Sequence, residues 1–170
     1  KASFGRLTPK LIAELEGILG KDGLRTDKDS LDKYGSDETE NLRFPPHAAA
    51  LPRSTEEVAA VMKLCHKHRI PVTPRGAGTG LSGGALPVYG GIALSVEKMN
   101  RILEIDQKNL MAVVQPGVIT QVLQEETEKL GLYYPPDPAS RGSCQIGGNI
   151  AECAGGPHAL KYGVTKDYVY

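Results

Sequence analysis

Two glycine-rich segments contain the residues of this 170-residue chain that are best suited to bind a ligand. The first reads RGAGTGLSGG over residues 75–84, and the second reads IGGNIAECAGG over residues 146–156. Glycine has no Cβ, so a glycine-rich backbone can approach a ligand closely and can direct successive N–H groups at one anion. The first segment adds an arginine and two hydroxyl groups as further donors. We therefore interpret the two segments as loops that bind one long, phosphate-bearing ligand.

The first segment matches the dinucleotide-binding pattern G-x-G-x-x-G at residues 78–83, but the residues that follow argue against a Rossmann loop. In a Rossmann loop a helix begins directly after the glycines, and its N-terminal amides face the pyrophosphate. Pro87 and the pair Gly90 and Gly91 would interrupt such a helix at once. No Gly-Lys-Ser or Gly-Lys-Thr follows, which excludes a P-loop. The sequence predicts an anion-binding loop without a helix behind it; a mobile surface loop is the alternative.

The elements predicted around these segments form an α+β scaffold. Thr8 and Pro9 begin a helix that ends at Gly20, and a capping box of Ser54 and Glu57 begins a second helix. Further helical segments are predicted at residues 30–34, 118–130 and near 143. Strands are predicted at residues 48–52, 71–74, 91–96, 101–106, 111–115, 132–134 and 167–170. The first two strands and the helix between them form a βαβ unit with a right-handed crossover.

Composition excludes several classes of function. The formal net charge is zero, which argues against nucleic acid as the main partner. No segment approaches the roughly 20 apolar residues that span a bilayer. Three cysteines are too few and too scattered for a secreted disulfide framework, so the expected location is the cytoplasm. Cys65 and His68 share a helix face, but no second ligand pair has matching spacing, so no metal site is predicted.

Together the two segments resemble those of a known family. Residues 74–84 resemble the pyrophosphate loop of the FAD-linked oxidases of the vanillyl-alcohol-oxidase or PCMH type, and residues 137–156 resemble that family's second flavin loop. The nearest branch contains the glycolate oxidase D subunit, D-lactate dehydrogenases and D-2-hydroxyglutarate dehydrogenase. Residues 161–165 and 167–170 also fit this branch. The resemblance implies an FAD-binding PCMH-type domain with two α/β subdomains, present here as its N-terminal part over residues 43–170 after a helical lead over residues 1–42.

The resemblance also implies which residues contact FAD. The residues expected at the pyrophosphate are Arg75, Gly76, Ala77, Gly78, Thr79, Gly80, Ser82 and Gly83. The residues expected along the isoalloxazine and ribityl groups are Pro138, Ala139, Ser140, Gly147, Gly148, Asn149, Ala151 and Gly155. Some relatives attach FAD covalently through a histidine in the first loop, but residues 77–79 are Ala-Gly-Thr, so non-covalent FAD is expected. His158 is either a donor in the active site or a surface residue.

The activity that the resemblance implies is oxidation of a 2-hydroxy acid by hydride transfer to the flavin, with D-lactate, glycolate or D-2-hydroxyglutarate as substrate. The catalytic base is expected beyond Tyr170, so no catalytic residue is assigned. The expected partners are the small-molecule substrate and the remainder of the protein's own chain, with room for an electron-transfer subunit. The alternatives are an alkyl-glycerone-phosphate synthase, an aromatic-alcohol oxidase or a non-catalytic domain that has lost flavin. The 170 residues alone are expected to bind FAD weakly or not at all.

Overall fold

The computed structural model describes residues 4–170 and divides the chain into two compact units, Lys1–Lys98 and Met99–Tyr170. The first unit contains helices α1 (Pro9–Leu19), α2 (Lys28–Tyr34) and α3 (Thr55–His68), and strands β1 (Leu24–Arg25), β2 (Ala48–Ala50), β3 (Val72–Arg75) and β4 (Ile92–Ser95). The helices at its N-terminus thus belong to the same compact unit as the parallel strands. The boundary predicted between residues 42 and 43 stays a prediction for the FAD-binding domain.

The strands of the first unit form one sheet in the order β1-β2-β4-β3. β2, β4 and β3 run parallel, and β1 pairs with β2 in the antiparallel direction. The predicted βαβ unit is present as β2-α3-β3, with β4 inserted between its two strands. Because parallel strands end at one edge of the sheet, the segment that follows β3 starts at the carboxyl edge, where α/β sheets bind ligands.

Small residues at the centre of this sheet allow helices to cover both faces. Ala48 and Ala50 belong to a buried cluster that includes leucines of α1 and Val61 and Cys65 of α3. Ala49 belongs to the opposite cluster with Tyr34 of α2. Alternate residues of a strand point to opposite faces, which explains the division. The fully buried run Ala48–Ala50 is therefore typical of a central parallel strand rather than an edge strand.

The helix N-caps predicted at Thr8 and Ser54 are confirmed, whereas the helix predicted over residues 118–130 spans only Thr120–Glu128. The Thr8 hydroxyl accepts a hydrogen bond from the Leu11 N–H at 3.4 Å, and Ser54 accepts one from the Glu57 N–H at 3.3 Å. The second half of the capping box differs, because the Glu57 carboxylate accepts from the Arg53 N–H at 2.7 Å rather than from the N-cap residue itself. The two N-cap contacts each satisfy an N–H group that the first turn of a helix leaves without an intrahelical partner, whereas Arg53 lies one residue before the N-cap.

The second unit contains one antiparallel hairpin, three short α-helices and a 3-10 helix over Thr165–Tyr168. Its elements are β5 (Ile102–Asp106), β6 (Met111–Val114), α4 (Thr120–Glu128), α5 (Ile146–Glu152) and α6 (Ala159–Tyr162). The predicted hairpin turn is confirmed, with the Asp106 carboxylate accepting from the Asn109 N–H at 3.0 Å. Val118, Leu123 and Ile146 form its buried apolar cluster. No helix within residues 4–170 combines the length and apolar character needed to cross a membrane.

Two predicted strands are wrong. Residues 132–134 do not pair with a strand, because the Leu132 N–H donates to the Thr127 carbonyl at 3.0 Å and closes the end of α4 instead. Residues 165–168 form a 3-10 helix where a strand over 167–170 was expected. There the Asp167 carboxylate accepts from the Val164 N–H at 2.8 Å, which fixes a turn. Valine and tyrosine favour strands only weakly, so such a local side-chain contact can override them.

Candidate functional site

The first glycine-rich segment is a loop that leaves the carboxyl end of β3. As predicted, no helix lies between Arg75 and Ile92, which removes the Rossmann arrangement. Gly78 and Gly83 have φ angles of +76° and +74°, which L-residues with a Cβ adopt only with strain. Buried Leu86 and a turn in which its N–H donates to the Gly83 carbonyl at 3.1 Å anchor the end of the loop. The segment therefore has a defined conformation, in which glycine is required at two positions.

This loop offers consecutive backbone donors. Among residues 4–170, no acceptor is found for the N–H groups of Ala77, Gly78, Thr79 and Gly80. The Gly83 N–H is already used, since it donates to the Thr39 hydroxyl at 2.9 Å. Unpaired N–H groups are costly unless water or a ligand accepts their hydrogen bonds. Four neighbouring donors at a sheet's carboxyl edge are an arrangement that suits phosphate oxygens.

Arg75 lies under the loop rather than at its mouth. The residue is 7% exposed, and its guanidinium lies against the α-carbon of Gly78. Its Nη2 donates to the Lys33 carbonyl at 3.2 Å, and its Cζ lies 5.9 Å from the centre of the Tyr34 ring. Burial lowers the pKa of the guanidinium, while the nearby Asp37 carboxylate opposes that shift. Direct contact of Arg75 with the pyrophosphate stays a prediction; in this structure its guanidinium is buried against Gly78, one of the residues with a backbone donor.

Sequence reasoning missed a set of residues that hold this loop in place. The polar stretch after α2 gives no sequence signal beyond that of an irregular connection. In the structure the Glu38 N–H donates to the Gly80 carbonyl at 3.2 Å, and Thr39 accepts from Gly83. The sequence could not indicate the Glu38 contact, because it involves only backbone atoms and a residue of almost any type could make it.

Residues 137–156, which contain the second glycine-rich segment, fold into tight turns followed by α5. The Arg141 N–H donates to the Pro138 carbonyl at 2.8 Å, and the Cys144 N–H donates to the Ser140 carbonyl at 2.7 Å. The predicted helical turn is therefore present, although α5 begins at Ile146 rather than near residue 143. The α-carbon of Gly156 packs against the Asp137 carbonyl, so the two ends of this segment are in contact. Pro138, Ser140 and the end of the glycine-rich run are thus brought together by the fold.

Neighbouring glycines in α5 have different surroundings. A Cβ on Gly147 would lie 2.8 Å from the Cβ of Pro116, whose carbonyl accepts the Gly147 N–H at 2.8 Å. A Cβ on Gly148 would meet no atom within 4 Å. Gly155 is intermediate, because its Cβ would lie 3.2 Å from Cγ1 of Val164. The fold therefore explains Gly147 by packing, whereas Gly148 has an open face.

Asn149 is committed to the interior of the second unit. It is 4% exposed, and its side-chain amide donates to the Thr120 hydroxyl. That hydroxyl oxygen also lies 3.2 Å from the Cys144 sulfur. The network connects α5 to α4 and to the turn before α5. A flavin contact through the Asn149 side chain stays a prediction, and the structure gives this side chain a packing role.

His158 and two alanines complete the candidate residues of the second unit. His158 is half-exposed, with its Nδ1 3.1 Å from the Tyr133 hydroxyl and 3.3 Å from the Pro135 carbonyl. His158 therefore connects the start of α6 to residues 133–135. An active-site donor and a surface residue both stay possible interpretations of His158. Ala139 and Ala151 are exposed. Within residues 4–170 no group of three or more His, Cys, Asp or Glu side chains is arranged to hold a metal ion.

Comparison with known proteins agrees with this geometry. Residues 46–170 match the FAD binding domain family. Glycolate oxidase subunit GlcD of Bacillus subtilis is 50% identical over 136 residues, which are 80% of this chain and 29% of that protein. D-2-hydroxyglutarate dehydrogenase of Stutzerimonas stutzeri is 43% identical over 161 residues, which are 95% of this chain and 35% of that protein. The chain thus spans about a third of the length of these relatives.

A solved structure matches the backbone as well. The structure of p-cresol methylhydroxylase with substrate bound superimposes with a TM-score of 0.74 and 28% identity, over 85% of this chain and 29% of that one. The α+β fold of the PCMH type predicted from the two glycine-rich segments is confirmed, with the chain corresponding to a part of that fold.

Proposed function

This chain belongs to the FAD binding domain family, and we propose that it is the pyrophosphate-holding part of a flavoenzyme that oxidises a 2-hydroxy acid. One observation carries the proposal: four consecutive N–H groups, Ala77 to Gly80, find no acceptor among residues 4–170 and lie on a loop with no helix behind it. Donors of this kind suit the two adjacent phosphates of FAD, which present many acceptor oxygens. The buried guanidinium of Arg75 adds positive charge behind them.

The residues of each unit fit the group that the family binds. In the first unit, a Cβ on Gly80 would meet no atom within 4 Å, and Gly80 has no left-handed φ, so the fold alone does not require glycine there. In the second unit, Gly148 is in the same situation. Glycine is an unfavourable choice where neither φ nor packing requires it. Close approach of a ligand to these α-carbons supplies the missing reason.

We propose that the cofactor is bound without a covalent bond. The first loop carries Ala77, Gly78 and Thr79 where some relatives have the histidine that attaches to the flavin. None of these three side chains can form such a bond by that route. The remaining task of the loop is to hold the cofactor by hydrogen bonds and charge. Trichloroacetic acid precipitation should therefore release all flavin into the supernatant, and flavin retained in the pellet would contradict non-covalent binding.

The proposed reaction converts a 2-hydroxy acid to a 2-oxo acid. When bound, the flavin would supply the acceptor for the hydride of the α-carbon, and a base, which none of the residues assigned above provides, would be needed for the hydroxyl proton. The residues of this chain bind and orient the cofactor. Two relatives, at 50% and 43% identity, are named for glycolate and for D-2-hydroxyglutarate, whereas the p-cresol enzyme is 28% identical. That difference favours a hydroxy acid over a phenolic substrate.

The test uses the complete protein that contains this chain. We expect stoichiometric FAD and bleaching of its absorbance near 450 nm when glycolate, D-lactate or D-2-hydroxyglutarate is added without oxygen. L-Lactate is the matched control for a site that acts on the D configuration, and p-cresol is the control for the substrate class. Flavin content without bleaching by any hydroxy acid would support a non-catalytic flavin domain. Protein that contains no flavin and binds none would refute the proposal.

Three narrower proposals follow from the same assignment. The relative named a glycolate oxidase subunit suggests that further subunits accept the electrons, which copurification from the source cells would test. Three free cysteines suit a reducing compartment, so we propose a cytoplasmic location, to be tested by cell fractionation. The 170 residues alone should bind FAD at least tenfold more weakly than the complete protein, because they span about a third of the relatives' length.

A further inference from the structure

The segment after α2 contacts the first glycine-rich loop at two points. The Glu38 N–H donates to the Gly80 carbonyl at 3.2 Å, and the Thr39 hydroxyl accepts from the Gly83 N–H at 2.9 Å. Asp37 fixes the segment itself, because its carboxylate accepts from the Thr39 N–H at 2.9 Å. Both contacts with the loop lie at the C-terminal side of the loop donors Ala77 to Gly80, for which no acceptor is found among residues 4–170. We call residues 37–39 the brace.

A buried arginine supports the same loop from below. The Arg75 guanidinium lies against the Gly78 α-carbon, so a side chain at position 78 would overlap it. Its Nη2 donates to the Lys33 carbonyl, and its Cζ lies over the Tyr34 ring, 5.9 Å from the ring centre. Its Nη1 is buried and has no hydrogen-bond partner within residues 4–170. The arginine is therefore held at Nη2, while the two N–H groups of its Nη1 have no acceptor among the described residues.

The charges around this arginine leave it only partly compensated. Asp37 and Glu97 both favour its charged form, yet neither lies within ion-pair distance of it in the described residues. The Glu97 carboxylate instead accepts from the Tyr34 hydroxyl at 3.0 Å, and one oxygen of Asp37 is buried without a partner. A buried charge without a close counter-ion is costly. An anion held on the loop above would offset part of that cost.

We infer that the brace and Arg75 are positioning residues that hold the first loop ready for the FAD pyrophosphate. The brace fixes the loop at Gly80 and Gly83. The Arg75 guanidinium lies against Gly78, which has no side chain, so its positive charge is close to any anion bound on the loop. Neither group needs to touch the cofactor. A loop that is already ordered binds its ligand more tightly, because binding then costs no further conformational entropy of the loop. The inference rests on the proposed function for the identity of the ligand, but the ordering of the loop can be measured without any ligand.

The first test removes one hydrogen bond of the brace in the complete protein. In Thr39→Val the side chain keeps its shape and loses its hydroxyl, whereas Thr39→Ser keeps the hydroxyl. We expect Thr39→Val to speed hydrogen exchange of the loop amides in the FAD-free protein and to raise the Kd for FAD about fivefold or more. Thr39→Ser should restore both values. Thr55→Val, at an exposed position of α3, is the matched control and should change neither.

The second test separates charge from shape at Arg75. Arg75→Met keeps most of the volume and removes the charge, and Arg75→Lys keeps the charge. We expect Arg75→Met to raise the Kd for FAD about tenfold or more, and Arg75→Lys to raise it less. Arg43→Met, which removes an exposed arginine paired with Asp32, is the control and should leave the Kd unchanged. Equal losses in the methionine and lysine variants would overturn the role of the charge.

The outcomes distinguish the inference from the proposed function. If the wild-type protein binds no FAD, the proposed function fails, and exchange of the loop amides in Thr39→Val alone decides whether the brace exists. If the wild type binds FAD and Thr39→Val changes neither exchange nor Kd, the brace is overturned while the proposed function stands. If Arg75→Met fails to fold, the Thr39 pair still decides the role of the brace.

Discussion

Replacing Gly148 with alanine should raise the free energy of unfolding and lower the affinity for FAD at the same time. Gly148 lies inside α5, has no left-handed φ, and has no atom within 4 Å of the position a Cβ would take. Glycine in a helix costs about 0.5–1 kcal/mol relative to alanine. In the FAD-free protein we therefore expect Gly148→Ala to gain about that free energy of unfolding. In the larger complete protein the Tm should rise by less than the roughly 1–4 °C that this free energy gives in a protein of 150–250 residues.

The same methyl group should weaken the binding of FAD if Gly148 faces the flavin, because it would occupy space that the flavin needs. Inserting a methyl group into a close-packed contact costs about 1–3 kcal/mol, which corresponds to a Kd for FAD raised roughly 5- to 150-fold. The two effects have opposite signs, so loss of FAD cannot be explained by loss of folding. The Kd is measured by the quenching of flavin fluorescence as FAD is added to the FAD-free complete protein. The Tm is measured by calorimetry on the same preparation.

Gly147→Ala is the matched control, one residue away in the same helix. Its Cβ would lie 2.8 Å from the Pro116 Cβ and 3.0 Å from the Pro116 carbonyl, so α5 would have to shift. We expect a net loss of about 1–2 kcal/mol in the free energy of unfolding, the cost of overpacking less the gain in helix propensity. If Gly148→Ala binds FAD as tightly as the wild type, Gly148 does not contact the cofactor. If Gly148→Ala is destabilised, our account of its open face is wrong.

Three further predictions concern the stability and reactivity of the chain. Gly78→Ala should lower the free energy of unfolding by about 1–3 kcal/mol, because φ is +76° and the new methyl group would overlap the Arg75 guanidinium; an unchanged urea midpoint would contradict this. A thiol reagent at pH 8 should react quickly with Cys153 alone in the folded 170-residue chain and with all three thiols after unfolding, since burial raises the pKa of Cys65 to about 11. The N–H group that Asp27 caps lowers the pKa of that carboxyl below its ordinary 3.8, so its stabilisation is present above that pH and is lost as the pH falls through the folded value. The Tm of the wild type should therefore fall more steeply below about pH 4 than that of Asp27→Asn, and parallel curves would refute the effect.

Sequence patterns predicted the larger elements of the fold because the physical signals are local. The caps at Thr8 and Ser54 and the helical spacing after them fix where α1 and α3 begin. Proline and the Gly90–Gly91 pair correctly excluded a helix after the first glycines. The two-residue strand β1 was missed, since it exists only by pairing with β2, in the register Leu24 to Ala50. No local pattern of two residues can reveal a partner 26 positions away.

The candidate site was predictable in its backbone but not in its supports. Glycine spacing indicated the first loop, because glycine is required where φ is positive, as at Gly78. The brace was missed because its contacts join Thr39 to a segment 44 residues away through one hydroxyl and one amide. The burial of Arg75 was missed for a related reason. From sequence alone, an arginine next to a phosphate-binding loop is expected to contact the phosphate. Only the packing of Tyr34 and Gly78 around Arg75 shows that its side chain is buried under the loop.

The two glycine-rich segments follow one principle, in which some residues are held by the chain so that others can face outward. In the first, the Gly83 N–H donates to Thr39, and the N–H groups of residues 77–80 have no acceptor in the part of the chain that the structure describes. In the second, the Asn149 side chain is buried against Thr120 and Gly147 is packed on Pro116, which fixes the helix that presents Gly148. The resemblance to the FAD-linked oxidases predicts a ligand contact for the residues held within the chain and for those that face outward alike. Contacts within the chain separate them, because a side chain whose hydrogen bonds are satisfied inside its own unit has little left to offer a cofactor.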